Sequence, residues 1–135
     1  MTSALHTMSL EDRLLGEQLE TLTPEQLDAL PFGVIGFDDQ GLVVRYNAYE
    51  SGAAQFAAAE VLGQHVFIEL APCLNNYLIA GRFEEALERG EPLDELLPYV
   101  LTFRMRPTRV RMRLLARPGS TVRFMLIERS AGRPA

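Results

Sequence analysis

Tryptophan is absent from this 135-residue chain, histidine occurs twice, and cysteine once, at Cys73. A lone cysteine excludes an internal disulfide, and His6 and His65 alone cannot build a multi-histidine metal site. No apolar run approaches the roughly 20 residues that a membrane-spanning helix needs. The first fifteen residues carry Glu11 and Asp12 and lack a basic segment leading into an apolar one, so they do not read as a secretory signal. Positive charge is in deficit: a net charge of -5 argues against a phosphate backbone as the main partner. Neither a phosphate-cradling glycine-rich loop nor a GxSxG elbow is present. Conventional hydrolase and kinase chemistry therefore has no foothold. The expectation is a non-enzymatic, soluble, cytoplasmic protein with no nucleic-acid and no membrane partner.

What is present is ordinary globular composition, 47% hydrophobic and 23% charged, in a length that suits one core. Leu10, Leu14, Leu15 and Leu19 recur at helical spacing and predict an amphipathic segment. Thr23-Pro24-Glu25-Gln26 reads as a second helix start, with Thr23 as N-cap, Pro24 in the first turn and Gln26 three residues on. Helices this short cannot bury their faces alone, so residues 1–30 are expected to form a cap over something else. From Phe32 the period changes to that of strands. Phe32 to Phe37 and Leu42 to Tyr46 flank an Asp38-Asp39-Gln40-Gly41 turn. The alanine-rich stretch from Asn47 to Ala59 predicts short helices, and Asn75 to Arg89 one long helix. Leu78, Ile79, Phe83, Ala86 and Leu87 would form its buried face, and Gly90 its stop.

Three further strands are expected over Leu97 to Met105, Thr108 to Ala116 and Thr121 to Glu128. Arg104, Arg106, Arg109, Arg111 and Arg113 cluster there. Their alternation with Met105, Val110 and Met112 predicts the solvent face of a strand rather than a nucleic-acid patch. Two strands, a helical middle and three strands give an α+β layout. The central sheet is antiparallel and five-stranded, with helices on one face and the N-terminal cap. The core is expected over 31–130, with 131–135 a frayed tail.

Few residues offer chemistry. His65 beside Gln64 reads as a solvated or structural histidine. Cys73 alone is most simply a small buried hydrophobe. Tyr46 ends a strand and packs there with its hydroxyl satisfied, and Glu50 among Ala and Ser is by itself a surface acid.

Together they say more. Tyr46-Asn47-Ala48-Tyr49-Glu50, Gly63, Leu70-Ala71-Pro72-Cys73, Gly81-Arg82-Phe83 and Met105-Arg106-Pro107-Thr108-Arg109-Val110 resemble the photoactive yellow protein family. Phe32-Gly33-Val34-Ile35 and Leu42 to Asn47 extend the likeness, which runs from about Leu27 to Arg129. The resemblance implies a PAS-like fold and a blue-light photoreceptor, with p-coumaric acid (a 4-hydroxycinnamoyl group) joined as a thioester to Cys73. It also implies that the distal phenol is held as a phenolate, with Tyr46 as one donor. Glu50 donates only when protonated, a form that burial and an adjacent anion favour. Light would isomerise the double bond trans to cis, the proton of Glu50 would pass to the phenolate, and a carboxylate left without a partner would release the cap.

Phe103 and Met105 match a pocket aromatic and a thioether near the chromophore. Where the family commonly has threonine and arginine this chain has Ala54 and Phe56, and Val66 and Leu101 replace aromatic wall residues. These departures put colour and recovery rate in doubt rather than attachment. The alternative is a PAS-type sensory or protein-interaction domain without this chromophore. An enzyme using Cys73 as nucleophile lacks a base partner. The signal is expected to pass by contact to a downstream signalling protein, from a monomer or weak dimer.

Overall fold

The computed structural model describes residues 9–102 and 107–129. Two short helices, α1 (Leu15–Gln18) and α2 (Pro24–Asp28), precede β1 (Gly33–Phe37) and β2 (Val43–Tyr46). Helices α3 (Ala48–Ala54), α4 (Ala58–Val61) and α5 (Ala80–Arg89) follow, with a π-turn at Val66–Leu70 and a 3-10 turn at Pro72–Leu74 between α4 and α5. Three strands close the chain: β3 (Leu93–Leu101), β4 (Thr108–Ala116) and β5 (Arg123–Arg129). They form one five-stranded sheet in the order β2-β1-β5-β4-β3, with every neighbouring pair antiparallel.

Strand alternation splits the sheet into two apolar faces. Ile35, Met112, Leu114, Met125 and Ile127 point to the side covered by α3 to α5, where Val66, Leu74, Ile79 and Phe83 complete the main core. Val34, Leu115, Phe124 and Leu126 point the other way and are covered by Leu10, Leu15, Leu19, Leu27 and Leu30 of the N-terminal segment. The segment therefore acts as a second layer. Burying each such leucine contributes about 1.5–3 kcal/mol.

Local signals behave as read. Thr23 and Gln26 form a reciprocal capping box at α2. The Asp38 carboxylate accepts from the Gln40 and Leu42 amides, and Gly41 takes the left-handed φ of +84° that the turn requires. Gly90 ends α5 with φ +63°.

The long helix is shorter than expected and starts at Ala80. The Asn76 side chain accepts from the Ile79 amide and donates to the Cys73 carbonyl, holding a turn where a helix would otherwise begin. Leu78, which precedes the helix, and Leu87 on its outer side are exposed, contrary to expectation, and Ile79, Ala80, Phe83 and Ala86 form the buried side. Strand β3 begins earlier than expected, because it pairs residue for residue along the whole of β4, from Leu93↔Ala116 to Leu101↔Thr108. Pro98 is tolerated within it because β3 is an edge strand.

Of the strand arginines, Arg109 and Arg111 are exposed as expected, Arg104 and Arg106 lie outside the described residues, and Arg113 needs a correction. Arg111 and Arg113 share the face of Leu115, which is the cap side, and Arg113 is buried. Its guanidinium forms a fork with Asp94 at 2.9 Å and donates to the carbonyls of Leu10 and Asp12. Arg111 pairs with Glu11 and Glu128 at the half-exposed margin, and hydrogen bonding from Arg111 holds the Glu11 carboxyl below its usual pKa range. Burial of Arg113 is possible because two cap carbonyls and Asp94 replace its water. Arg113→Met should therefore lower stability by about 2 kcal/mol. Amide exchange should accelerate in Leu10–Leu19 ahead of β1, whereas uniform acceleration would contradict a clasp on the cap.

Candidate functional site

β2 ends at Tyr46 and α3 begins two residues later, with Asn47 as its N-cap. The Asn47 side chain accepts from the Glu50 amide at 3.1 Å and turns the chain so that both Tyr46 and Glu50 point inward. Glu50 has no exposed surface, and Tyr46 is 9% exposed. The Tyr46 hydroxyl donates to the Glu50 backbone carbonyl at 3.5 Å, much longer than the usual 2.7–2.8 Å or so. This donor remains available to a closer acceptor.

The Glu50 carboxyl is held by Arg129, the last residue of β5, through two parallel bonds of 2.7 and 2.9 Å. That fork is the geometry of a carboxylate with a guanidinium. Room for it comes from Gly33 on β1, where a methyl group would overlap Glu50 Oε1. Burial pulls the Arg129 pKa down, but the bonds and charge of Glu50 outweigh it, leaving the group above its ordinary value. The Tyr46 phenol is pushed well above its ordinary value, first by burial and then by the Glu50 charge, with Arg129 opposing in part.

Arg129 was not singled out from the sequence, although a signal existed. It continues the inward series Met125, Ile127, and a charge at an inward strand position requires a buried partner.

Cys73 is half-buried in the Pro72–Leu74 turn and packs against the main core. Its carbonyl accepts from Tyr99 Oη at 2.8 Å and from the Asn76 amide at 3.1 Å, so two further side chains fix the turn. Tyr46, Val66 and Leu101 belong to that same core, and Phe56 packs on it. Ala54 is buried at the end of α3, and the Phe56 carbonyl accepts from Ser51 Oγ. Phe103 and Met105 lie outside the described residues. His65 is structural: its Nδ1 accepts from the Phe67 amide, and its ring packs over Gly41. Among the described residues, no group of three or more His, Cys, Asp or Glu could hold a metal ion, and no helix is long and apolar enough to cross a membrane.

This five-stranded antiparallel sheet with its flanking helices is a PAS-type arrangement, and the PAS fold family matches residues 27–131. Within that class, the chain belongs to the photoactive yellow protein family. It is 34% identical to the photoactive yellow protein of Rhodothalassium salexigens over 89 residues, 66% of this chain and 70% of that protein. To the photoactive yellow protein of Halochromatium salexigens it is 33% identical over 96 residues, 71% and 76% of the two chains. The crystal structure of the photoactive yellow protein domain from the sensor histidine kinase Ppr of Rhodospirillum centenum superposes with a TM-score of 0.76 at 30% identity, covering 84% of this chain and 98% of that one.

Two predictions follow from this geometry. Gly33→Ala forces the Glu50 carboxylate off Arg129 and should cost about 1–3 kcal/mol. In a Glu50→Ala background the same change should cost less, and an equal cost in both would place the strain elsewhere. The second concerns alkaline pH. The fold holds the Tyr46 proton more tightly than the unfolded chain, whose tyrosines ionise near pH 10 or so. Above that pH unfolding releases a proton, so stability falls as pH rises. Urea midpoints should drop more steeply for the wild type than for Tyr46→Phe from about pH 10 upward, and parallel curves would refute the assignment.

Proposed function

We propose that this chain is a blue-light photoreceptor carrying p-coumaric acid as a thioester on Cys73. The observation that carries this reading is the presence of Tyr46, adjoining Glu50, and the half-buried Cys73 on one apolar core of a photoactive yellow protein relative.

The residues suit a flat hydroxycinnamoyl group. Cys73 offers a reachable thiol for acyl transfer. Val66, Leu101 and Phe56 offer apolar walls, and Tyr46 has a hydroxyl donor held only by a long bond. The bound group supplies visible absorption and a double bond that light can isomerise. Cys73 anchors its acyl end, and Tyr46 donates to its phenolic oxygen. Glu50, once protonated, would give a second bond to that oxygen and would be the proton donor beside it. Phe56 and Ala54 stand where an arginine and a threonine are common in the family, so the absorption and recovery of relatives that have them do not carry over to this chain.

Signalling then passes to the cap. Asn47 supports this step, because it bonds both the Glu50 amide and the Leu27 carbonyl of α2. The readout is a changed cap surface presented to a downstream signalling protein.

Mixing the purified chain with an activated p-coumaroyl derivative should add one acyl mass to Cys73 and give a visible band that bleaches in blue light. Glu50→Gln should keep attachment and shift the band. A colourless product with unmodified Cys73 would remove the chromophore reading. Unchanged hydrogen exchange in α1 and α2 under illumination would remove the cap step alone.

A further inference from the structure

We propose that Arg129 is the anion-binding residue of the pocket, and that a ligand anion displaces Glu50 from it with uptake of one proton by Glu50. The inference rests on the reading of this pocket as a ligand site, and its first tests need no chromophore. Three observations lead to it. The Glu50–Arg129 fork is bidentate, with the Glu50 side chain fully buried and that of Arg129 10% exposed. Tyr46 adjoins it with an underused hydroxyl. Arg129 emerges from β5 on the side of the sheet that carries Cys73, following Met125 and Ile127.

The charge count then decides. The unloaded pocket holds one carboxylate and one guanidinium and is neutral. An incoming phenolate makes it net negative in a place that tolerates no surplus charge. One buried guanidinium carries a single positive charge and cannot neutralise two anions, so Glu50 takes a proton from solvent. It then faces the ligand as a neutral donor, while Arg129 stays protonated and turns to the new anion. The titratable groups whose fields meet here are Tyr46 from β2, Glu50 and Tyr49 from α3, and Arg129 from β5, with Gly33 contributing only backbone from β1.

The consequence in light reverses the expectation drawn from sequence. When Glu50 gives up its proton it is not an orphaned carboxylate. Arg129 is free at that moment, because the ligand has become neutral, and the ion pair of the unloaded pocket re-forms. The pair is therefore the end state of the switch.

Infrared absorption of protonated carboxyl groups, assigned by its loss in Glu50→Gln, tests this. In the unloaded wild type no such band should belong to Glu50 at neutral pH. Arg129→Gln should create it, and Arg129→Lys, which keeps the charge, should largely remove it again. After loading, the dark wild type should show the band at one carboxyl per chain. A Glu50 band already present in the unloaded wild type, or none in unloaded Arg129→Gln, would overturn the assignment. So would a loaded dark state with Glu50 still ionised. Failure of Cys73 to take the label would sink the proposed function and leave the unloaded comparisons standing.

Discussion

The Asn47 side chain is 1% exposed, and its amide makes four hydrogen bonds. Its oxygen accepts from the amides of Val34 and Glu50, and its nitrogen donates to the carbonyls of Leu27 and Phe32. One amide thus joins the cap helix α2, the first strand and the start of α3. None of these partners reaches water there, so losing any one leaves a buried polar group unsatisfied, at about 1–3 kcal/mol. The exit of the cap, the position of β1 and the direction of α3 are consequently set together. Asp28 adds a second tie by accepting from the Ala48 amide at 2.7 Å. Tyr46 precedes Asn47 and Glu50 follows it by three residues, so this amide also turns both side chains inward.

The parts of the fold that were legible in the sequence have their causes within a few residues. Thr23 finds Gln26, Asp38 finds Gln40 and Leu42, and Gly90 needs only its own positive φ. The antiparallel layout followed from the order of elements, two strands, a helical middle and three strands. What was misread depends on distant partners. Asn76 delays α5 through Cys73 and Tyr99, and the start of β3 is dictated by the far end of β4. Arg113 looked like a solvent-facing strand residue because alternation tells which face a side chain takes and not what lies over that face. The Leu10 and Asp12 carbonyls that bury it lie about a hundred residues earlier in the chain.

The site divides along the same line. Tyr46, Glu50 and Cys73 are individually bland, and only their joint spacing within a resemblance made them candidates. No rule of local sequence links Glu50 to Arg129, 79 residues away, or leads to the Gly33 notch that admits the carboxylate. Each became interpretable once the β1–β5 register placed Gly33 opposite Ile127, two residues before Arg129. Inward parity on β5 was the available clue, because a strand does not turn a charge toward an apolar core without a partner.

A buried ion pair is weak grounds for stability, since the desolvation of both charges cancels much of their attraction. Two apolar side chains could fill the same space at similar cost, and a purely structural account leaves the choice of Glu and Arg unexplained. The arginines on the opposite face are different, because Arg111 and Arg113 tie β4 to the N-terminal segment at Glu11, Leu10 and Asp12. Glu50 and Arg129 gain little by bridging: β1 already pairs with β5 along its whole length, and Asn47 already fixes α3. What the pair adds is divisibility. A carboxylate can be discharged by one proton and an arginine cannot, which is the asymmetry that the proposed exchange of partners at Arg129 uses. Asn47 holds the Glu50 backbone in place throughout, so the two states differ in where charge sits before they differ in shape. The Asn47 side chain bonds both the Glu50 amide and the Leu27 carbonyl, so a single side chain separates the start of α3 from the cap helix α2.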